Sequence, residues 1–123
     1  MIELKNVSES YVNGVKVIDN MNLKVEDGIV FGFIGPNGAG KTTTIEMITG
    51  ILNIDEGDIL IDGKSIKKDP IGAKKQFGFV PDVPDAFEKL TGLEYLNFIG
   101  DVYGVTQKQR FEKVKVLATK FGI

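Results

Sequence analysis

Residues 29–43 read IVFGFIGPNGAGKTT, and the fold turns on them. Ile29-Val30-Phe31-Gly32-Phe33-Ile34 is nearly all apolar and does not alternate, the pattern of a strand buried on both faces. Three glycines, a proline and a lysine then fall between Gly35 and Thr43. From Lys41 to Thr49 the spacing predicts a helix, with Ile45 and Ile48 on one side and Gly50 as its stop. A buried strand, a glycine-rich turn and a helix in that order point to an α/β fold.

The spacing Gly35-x-x-x-x-Gly40-Lys41-Thr42 is the P-loop pattern. Gly35 lets the chain leave the strand sharply, and Gly38 and Gly40 permit backbone angles that a Cβ resists. Successive N–H groups then face one concavity. The helix that begins near Lys41 adds its unpaired N–H groups and its positive dipole end. In this motif Lys41 brings a full charge to the β- and γ-phosphates and the Thr42 hydroxyl is a ligand for Mg²⁺. The plainer alternative is a turn that only joins strand to helix. At this composition the four fixed positions match by chance on the order of once in ten thousand windows.

Bulk properties limit the rest. With 123 residues the chain is the size of one ordinary domain, 42% hydrophobic and 26% charged. A net charge of −2 leaves no footprint for nucleic-acid binding. Arg110 is the only arginine, against any clamp of several arginines on phosphate. No cysteine is present, so disulfides and thiolate zinc sites are excluded; no histidine is present, so imidazole acid–base chemistry is too. No apolar run approaches the roughly 20 residues of a membrane span, and MIELKNVSES lacks the form of a signal peptide. A cytoplasmic location is the expectation.

Elsewhere the pattern is strand, turn, then helix. Ile2-Glu3-Leu4, Val15-Lys16-Val17 and Met21 to Val25 alternate at period two, Asn13-Gly14 signals a hairpin, and Glu26-Asp27-Gly28 a turn. Ile59-Leu60-Ile61 with Asp62-Gly63 reads as a second hairpin, Ile71 to Gln76 as a helical turn, and Phe77 to Val80 as a short strand closed by Pro81. Thr91 and Glu94, then Thr106 and Gln109, have capping-box spacing. Helices follow each, one carrying Leu93, Leu96, Ile99 and Tyr103, the other a stripe of Phe111, Val114, Leu117, Ala118 and Phe121. The lysines at 89, 108, 113, 115 and 120 are interspersed with Glu88 and Glu112 and read as a solvated face.

GPNGAGKTT resembles the P-loop of the ATP-binding domains of ABC transporters nearly letter for letter. Four further stretches are similar to that family in the same order: LKNVSESYVNGVKVIDNMNLKVEDG, LNIDEGDILIDGKSI, FGFVPD and LTGLEYLNFIGDVYGV. The resemblance implies a P-loop core strand and helix, about 28–50 and 71–82, with an N-terminal antiparallel β-subdomain, about 1–27 and 51–70. It also implies the start of a helical subdomain, 83–123. It implies that Tyr11 stacks on adenine, that Val17 lines the same face, and that Gly35, Pro36, Asn37, Gly38, Ala39, Gly40, Lys41, Thr42 and Thr43 hold the phosphates of ATP, Thr43 at the α-phosphate. Asp82 stands where the family carries a glutamine that contacts Mg²⁺ or its water. A charged side chain one methylene shorter can face a magnesium-bound water, or simply close a Val-Pro-Asp turn.

Hydrolysis asks for more: an acid on a neighbouring strand for Mg²⁺ and a group to orient water. ILIDG reaches Asp62 within a hairpin turn, and FGFVPD reaches Asp82 through a proline. Neither is the four apolar residues followed by Asp-Glu that the family uses, and no Leu-Ser-Gly-Gly-Gln signature follows. The expectation is therefore a truncated domain, its N-terminal half, that binds nucleotide and hydrolyses nothing alone. An uncovered apolar strand edge predicts self-association or domain swapping. For the parent protein the resemblance implies an ATPase working with a membrane permease, as a pair of nucleotide-binding domains at the inner face of the membrane, and export as the direction. The residues after Asp82 are the expected permease-facing surface by family position. The alternatives are a non-transport ABC-type ATPase acting on ribosome or DNA, a small P-loop GTPase or nucleotide kinase, and a bare phosphate-binding module. The GTPase lacks an Asn-Lys-x-Asp guanine clamp and the kinase lacks arginines.

Overall fold

A computed structural model describes residues 1–10, 14–81 and 89–122. The chain divides into two compact units, Met1–Phe79 and Val80–Ile123.

The first unit is built on a four-stranded sheet of order β2-β1-β3-β4, every pair antiparallel. Its strands are β1 (Ile2–Ser10), β2 (Lys16–Val25), β3 (Glu56–Ile61) and β4 (Lys64–Ser65). The two runs read separately as Val15–Val17 and Met21–Val25 fall, from Lys16 on, in one strand with irregular register against β1. Leu4 lies opposite Leu23 on one side and Ile59 on the other, so an apolar row crosses the sheet. Irregular pairing between Lys5 and Ser8 follows from two residues in the left-handed region, Asn6 at φ 50° and Gly57 at φ 80°. A Cβ on Gly57 would lie 2.3 Å from the Lys5 carbonyl oxygen, so only glycine lets β3 approach this bulge. The turn Asp62-Gly63, both residues at positive φ, joins β3 to β4 as the sequence predicts.

Helix α1 (Lys41–Thr49) has the predicted bounds and ends on Gly50 at φ 66°. Of the two isoleucines predicted on one side, Ile48 is half-buried against the core and Ile45 is not. Thr44, Met47 and Thr49 are the buried residues of the helix, while Ile45 is 38% exposed. Met47 joins Leu4, Val7, Ile18, Ile54, Ile59, Ile61 and Ala73 in the core. Short α2 (Pro70–Lys74) contributes Ala73, capped by Asp69, whose carboxylate accepts from the Gly72 N–H at 2.9 Å.

Ile29–Ile34 departs from expectation. It forms no strand; Val30 and Ile34 are about as open as in an extended peptide, at 103% and 97% exposure. Phe77–Val80 is likewise not in a ladder, and Val80 is 89% exposed. An apolar run becomes a central strand only when other strands supply hydrogen-bond partners along both edges. Among the described residues none does. Within the run, only the Phe31 and Phe33 rings meet, edge to face at 5.4 Å.

The second unit is a helical hairpin of α3 (Gly92–Val102) and α4 (Gln107–Phe121). Both predicted capping boxes form. The Thr91 N–H donates to Glu94 at 2.8 Å and the Thr106 N–H to Gln109 at 3.1 Å. Arg110 fastens the hairpin: it donates to the carbonyls of Val105 at 2.7 Å and Asn97 at 3.0 Å and pairs with Asp101. Gly100 makes room for it, since a Cβ there would lie 2.3 Å from Arg110 Nε. The predicted apolar stripe of α4 stays open, with Phe111 and Phe121 about three-quarters exposed.

Candidate nucleotide site

Gly40 caps the N-terminus of α1 and has no side chain, so nothing satisfies the first helical N–H groups from the cap position. Within the loop the Ala39 N–H donates to the Pro36 carbonyl at 3.3 Å, and the helix proper begins with Thr44 N–H to Gly40 O at 2.8 Å. The amides of Lys41, Thr42 and Thr43 precede that first helical bond.

Two glycines shape the loop differently. Gly38, at φ 83°, faces open space: a Cβ there would meet nothing within 4 Å. Gly40, at φ 79°, is backed by protein, and its missing Cβ would lie 2.5 Å from Ile18 Cδ1. Both glycines take the positive φ expected of them, but at Gly40 the missing Cβ also leaves room for the core side of β2. Gly35 is also tight, with the Ala39 Cβ at 3.4 Å from a Cβ placed there.

Lys41 folds back into the arc of its own loop. Its ammonium donates to the Gly35 carbonyl and, at 2.7 Å, to the Pro36 carbonyl. The charge thus sits inside the concavity formed by residues 35–40, on carbonyls alone. Thr42 is exposed beside it and Thr43 is half-buried. Thr44, which the sequence reading passed over, anchors the structure. It is 1% exposed, and its hydroxyl donates to Gly40 O at 2.8 Å and reaches Met21 Sδ at 3.9 Å.

Val17 is half-buried in β2 and lines a cavity of about 310 Å³ shared with Ile18, Met21, Ala39, Lys41 and Thr44. The strand residue chosen for the base and the loop lysine chosen for the phosphates therefore share one cavity. Tyr11 and Asp82 lie outside the described residues. Asp62 is engaged elsewhere, accepting from the Met1 amine at 2.6 Å. Among the described residues no group of three or more acidic side chains could hold a metal by itself. None of the helices described is long and apolar enough to cross a membrane.

Residues 18–123 match the family model described as "ABC transporter". An uncharacterized ABC transporter ATP-binding protein of Bacillus subtilis, YhcH, is 41% identical over 95% of this chain and 38% of its own length. The lipopolysaccharide export system ATP-binding protein LptB of Haemophilus influenzae is 35% identical over 100% of this chain and 52% of its own. A solved structure described as an ATP-binding subunit of an ABC transporter superposes on 98% of this chain and 50% of itself, with TM-score 0.89 and 30% identity. The chain thus spans about half the length of these proteins, or less.

Proposed function

Since the chain belongs to the ABC transporter family of ATP-binding proteins, we propose that its P-loop binds the phosphates of ATP and that the parent protein couples ATP hydrolysis to transport. The observation that carries this is the junction of loop and helix. An uncapped helix start, a Gly38 with open space where a Cβ would be, and an ammonium held on loop carbonyls converge within seven residues. An anion entering this arc gains the free amides, the helix dipole and the Lys41 charge together.

The residue roles follow from chemistry. Lys41 neutralises charge on the β- and γ-phosphates, and the other residues of Gly35 to Thr43 offer backbone amides and hydroxyls. Magnesium, a hard cation, takes oxygen ligands, and the exposed Thr42 hydroxyl beside phosphate oxygens suits it; bound there it would offset charge on the phosphates. By the family resemblance Val17 and Tyr11 would take the adenine, and Asp82 would serve the metal through a bound water. The sequence contains no Asp-Glu pair after an apolar strand, so we assign hydrolysis to the longer protein and binding to this chain. Partner strands for Ile29–Ile34 would come from the same source.

For that longer protein we propose a membrane permease and a second nucleotide-binding domain as partners, and a peripheral place on the inner face of the membrane. Export as the direction rests on the LTGLEYLNF resemblance and accords with one relative being named for lipopolysaccharide export. The test is calorimetry of ATP with the chain, with and without Mg²⁺. Binding that magnesium strengthens and that Lys41→Ala weakens at least about tenfold, the worth of one charge-assisted contact, supports the proposal. Equal affinity in the variant refutes it.

A further inference from the structure

Residues 64–75 hold five lysines and one aspartate in a chain whose net charge is −2. Lys64, Lys67, Lys68, Lys74 and Lys75 are all exposed. Their placement is fixed by a small buried network. The Ser65 hydroxyl, on a residue only 7% exposed, donates to Asp58 at 2.8 Å and accepts the N–H groups of Lys67 at 3.2 Å and Lys68 at 3.1 Å. The Asp69 N–H bonds to the Ser65 carbonyl at 2.8 Å, and the Ala73 N–H to the Asp69 carbonyl at 2.9 Å, so a hydrogen-bonded turn carries β4 into α2.

The acids nearby are spent on protein donors. Asp58 takes the Ser65 hydroxyl and the Ile59 N–H, and Asp69 caps α2. Among the described residues no carboxylate pairs with any of the five lysines, although Lys5, Lys16 and Lys24 each have one. Lys74 alone touches a carbonyl, that of Gly50 at 3.4 Å.

An apolar tip stands among these charges. Ile71 is 70% exposed and lies three and four residues before Lys74 and Lys75, on the same side of α2. Beside it a cavity of about 440 Å³ is lined by Leu52, Ile54 and Ile66 together with Lys67 and Lys74. We propose that this face, Lys64 to Lys75, docks on an anionic phospholipid surface, the lysines on headgroup phosphates and Ile71 at the boundary with the acyl chains. The composition favours lipid over an acidic peptide or nucleic acid. Lysines are point charges without the planar fork that reads a carboxylate or a base in two contacts, and an exposed isoleucine gains nothing from a polyanion. The inference does not depend on nucleotide binding.

The experiment is co-sedimentation of the chain with vesicles of equal parts phosphatidylglycerol and phosphatidylcholine, and with phosphatidylcholine alone. The chain binds the mixed vesicles, salt weakens binding, and the neutral vesicles leave it in solution. Lys64→Gln, Lys67→Gln, Lys68→Gln and Lys75→Gln together, a four-site variant, weaken partition by roughly several hundredfold, about fivefold for each lysine near such a surface. Ile71→Ser weakens it without changing charge. Lys108→Gln, Lys113→Gln, Lys115→Gln and Lys120→Gln together, the same charge change on α4, retain it, as does Lys41→Ala. Should the four-site variant lose its thermal transition, Lys67→Gln with Lys68→Gln serves, with roughly a 25-fold weakening expected. Equal binding by the patch variants, equal loss in the α4 variant, or binding to polyglutamate with none to vesicles overturns the proposal.

Discussion

Replacing Gly40 by alanine separates two demands that the loop makes at one residue. The first is conformational: at φ 79° a residue with a Cβ sits in the left-handed region, at roughly 1–2 kcal/mol. The second is steric. The new Cβ would lie 2.5 Å from Ile18 Cδ1, and Ile18 is 8% exposed, so its methyl must turn within a packed core, at roughly 1–3 kcal/mol. Together they destabilise by roughly 2–5 kcal/mol, a large share of an ordinary domain's 5–15 kcal/mol. Gly38→Ala isolates the first demand, since φ is 83° but a Cβ there meets nothing within 4 Å. Ile18→Val isolates the second, because it removes the clashing methyl and leaves Cγ1 at an ordinary 3.7 Å. Urea unfolding without nucleotide is the assay. In the valine background, Gly40→Ala should cost no more than Gly38→Ala, a coupling of roughly 1–3 kcal/mol. An unchanged cost in that background, or equal costs for the two alanines from the start, refutes the packing argument.

Thr44→Val keeps the shape but removes the hydroxyl that bonds Gly40 O, and should lower the urea midpoint by the equivalent of about 1 kcal/mol. Arg110→Ala removes the bonds to Val105 and Asn97 and the pair with Asp101, so amide hydrogen exchange in α4 should accelerate while α1 is unaffected. At Glu94 the hydrogen bonds from the Thr91 hydroxyl and N–H hold the carboxyl below its ordinary value of 4.5. A depressed folded value stabilises above the unfolded one and is lost as pH falls through the folded one. The α3 helix should therefore begin to fray below about pH 4.5 by circular dichroism, and Glu94→Gln should flatten that dependence.

How much could be read beforehand depended on whether the determinants were local. Both capping boxes, the Asp62-Gly63 turn and the bounds of α1 were legible, because each is settled within a few residues by a side-chain acceptor or a glycine at positive φ. The junction of loop and helix at Gly40 and Lys41 was legible for the same reason. Ile29–Ile34 was not, because apolarity records what a segment can bury but not whether strands stand beside it. The inward face of α1 was read only in part, through Ile48: Thr44 and Met47 are chosen by Gly40, Met21 and the core under the sheet, all remote from helix periodicity. Arg110, counted only as a scarce phosphate ligand, has its donors occupied by its own hairpin.

The central claim is that residues 35–43 cradle phosphate, and backbone amide resonances report on it most directly. Spectra would be recorded with MgATP, with magnesium tripolyphosphate and with adenosine. The account predicts that the amides of Gly38, Gly40, Lys41, Thr42 and Thr43 shift with the first two and stay in place with adenosine. Amides that remain unmoved by tripolyphosphate, or shifts confined to other parts of the chain, would contradict it.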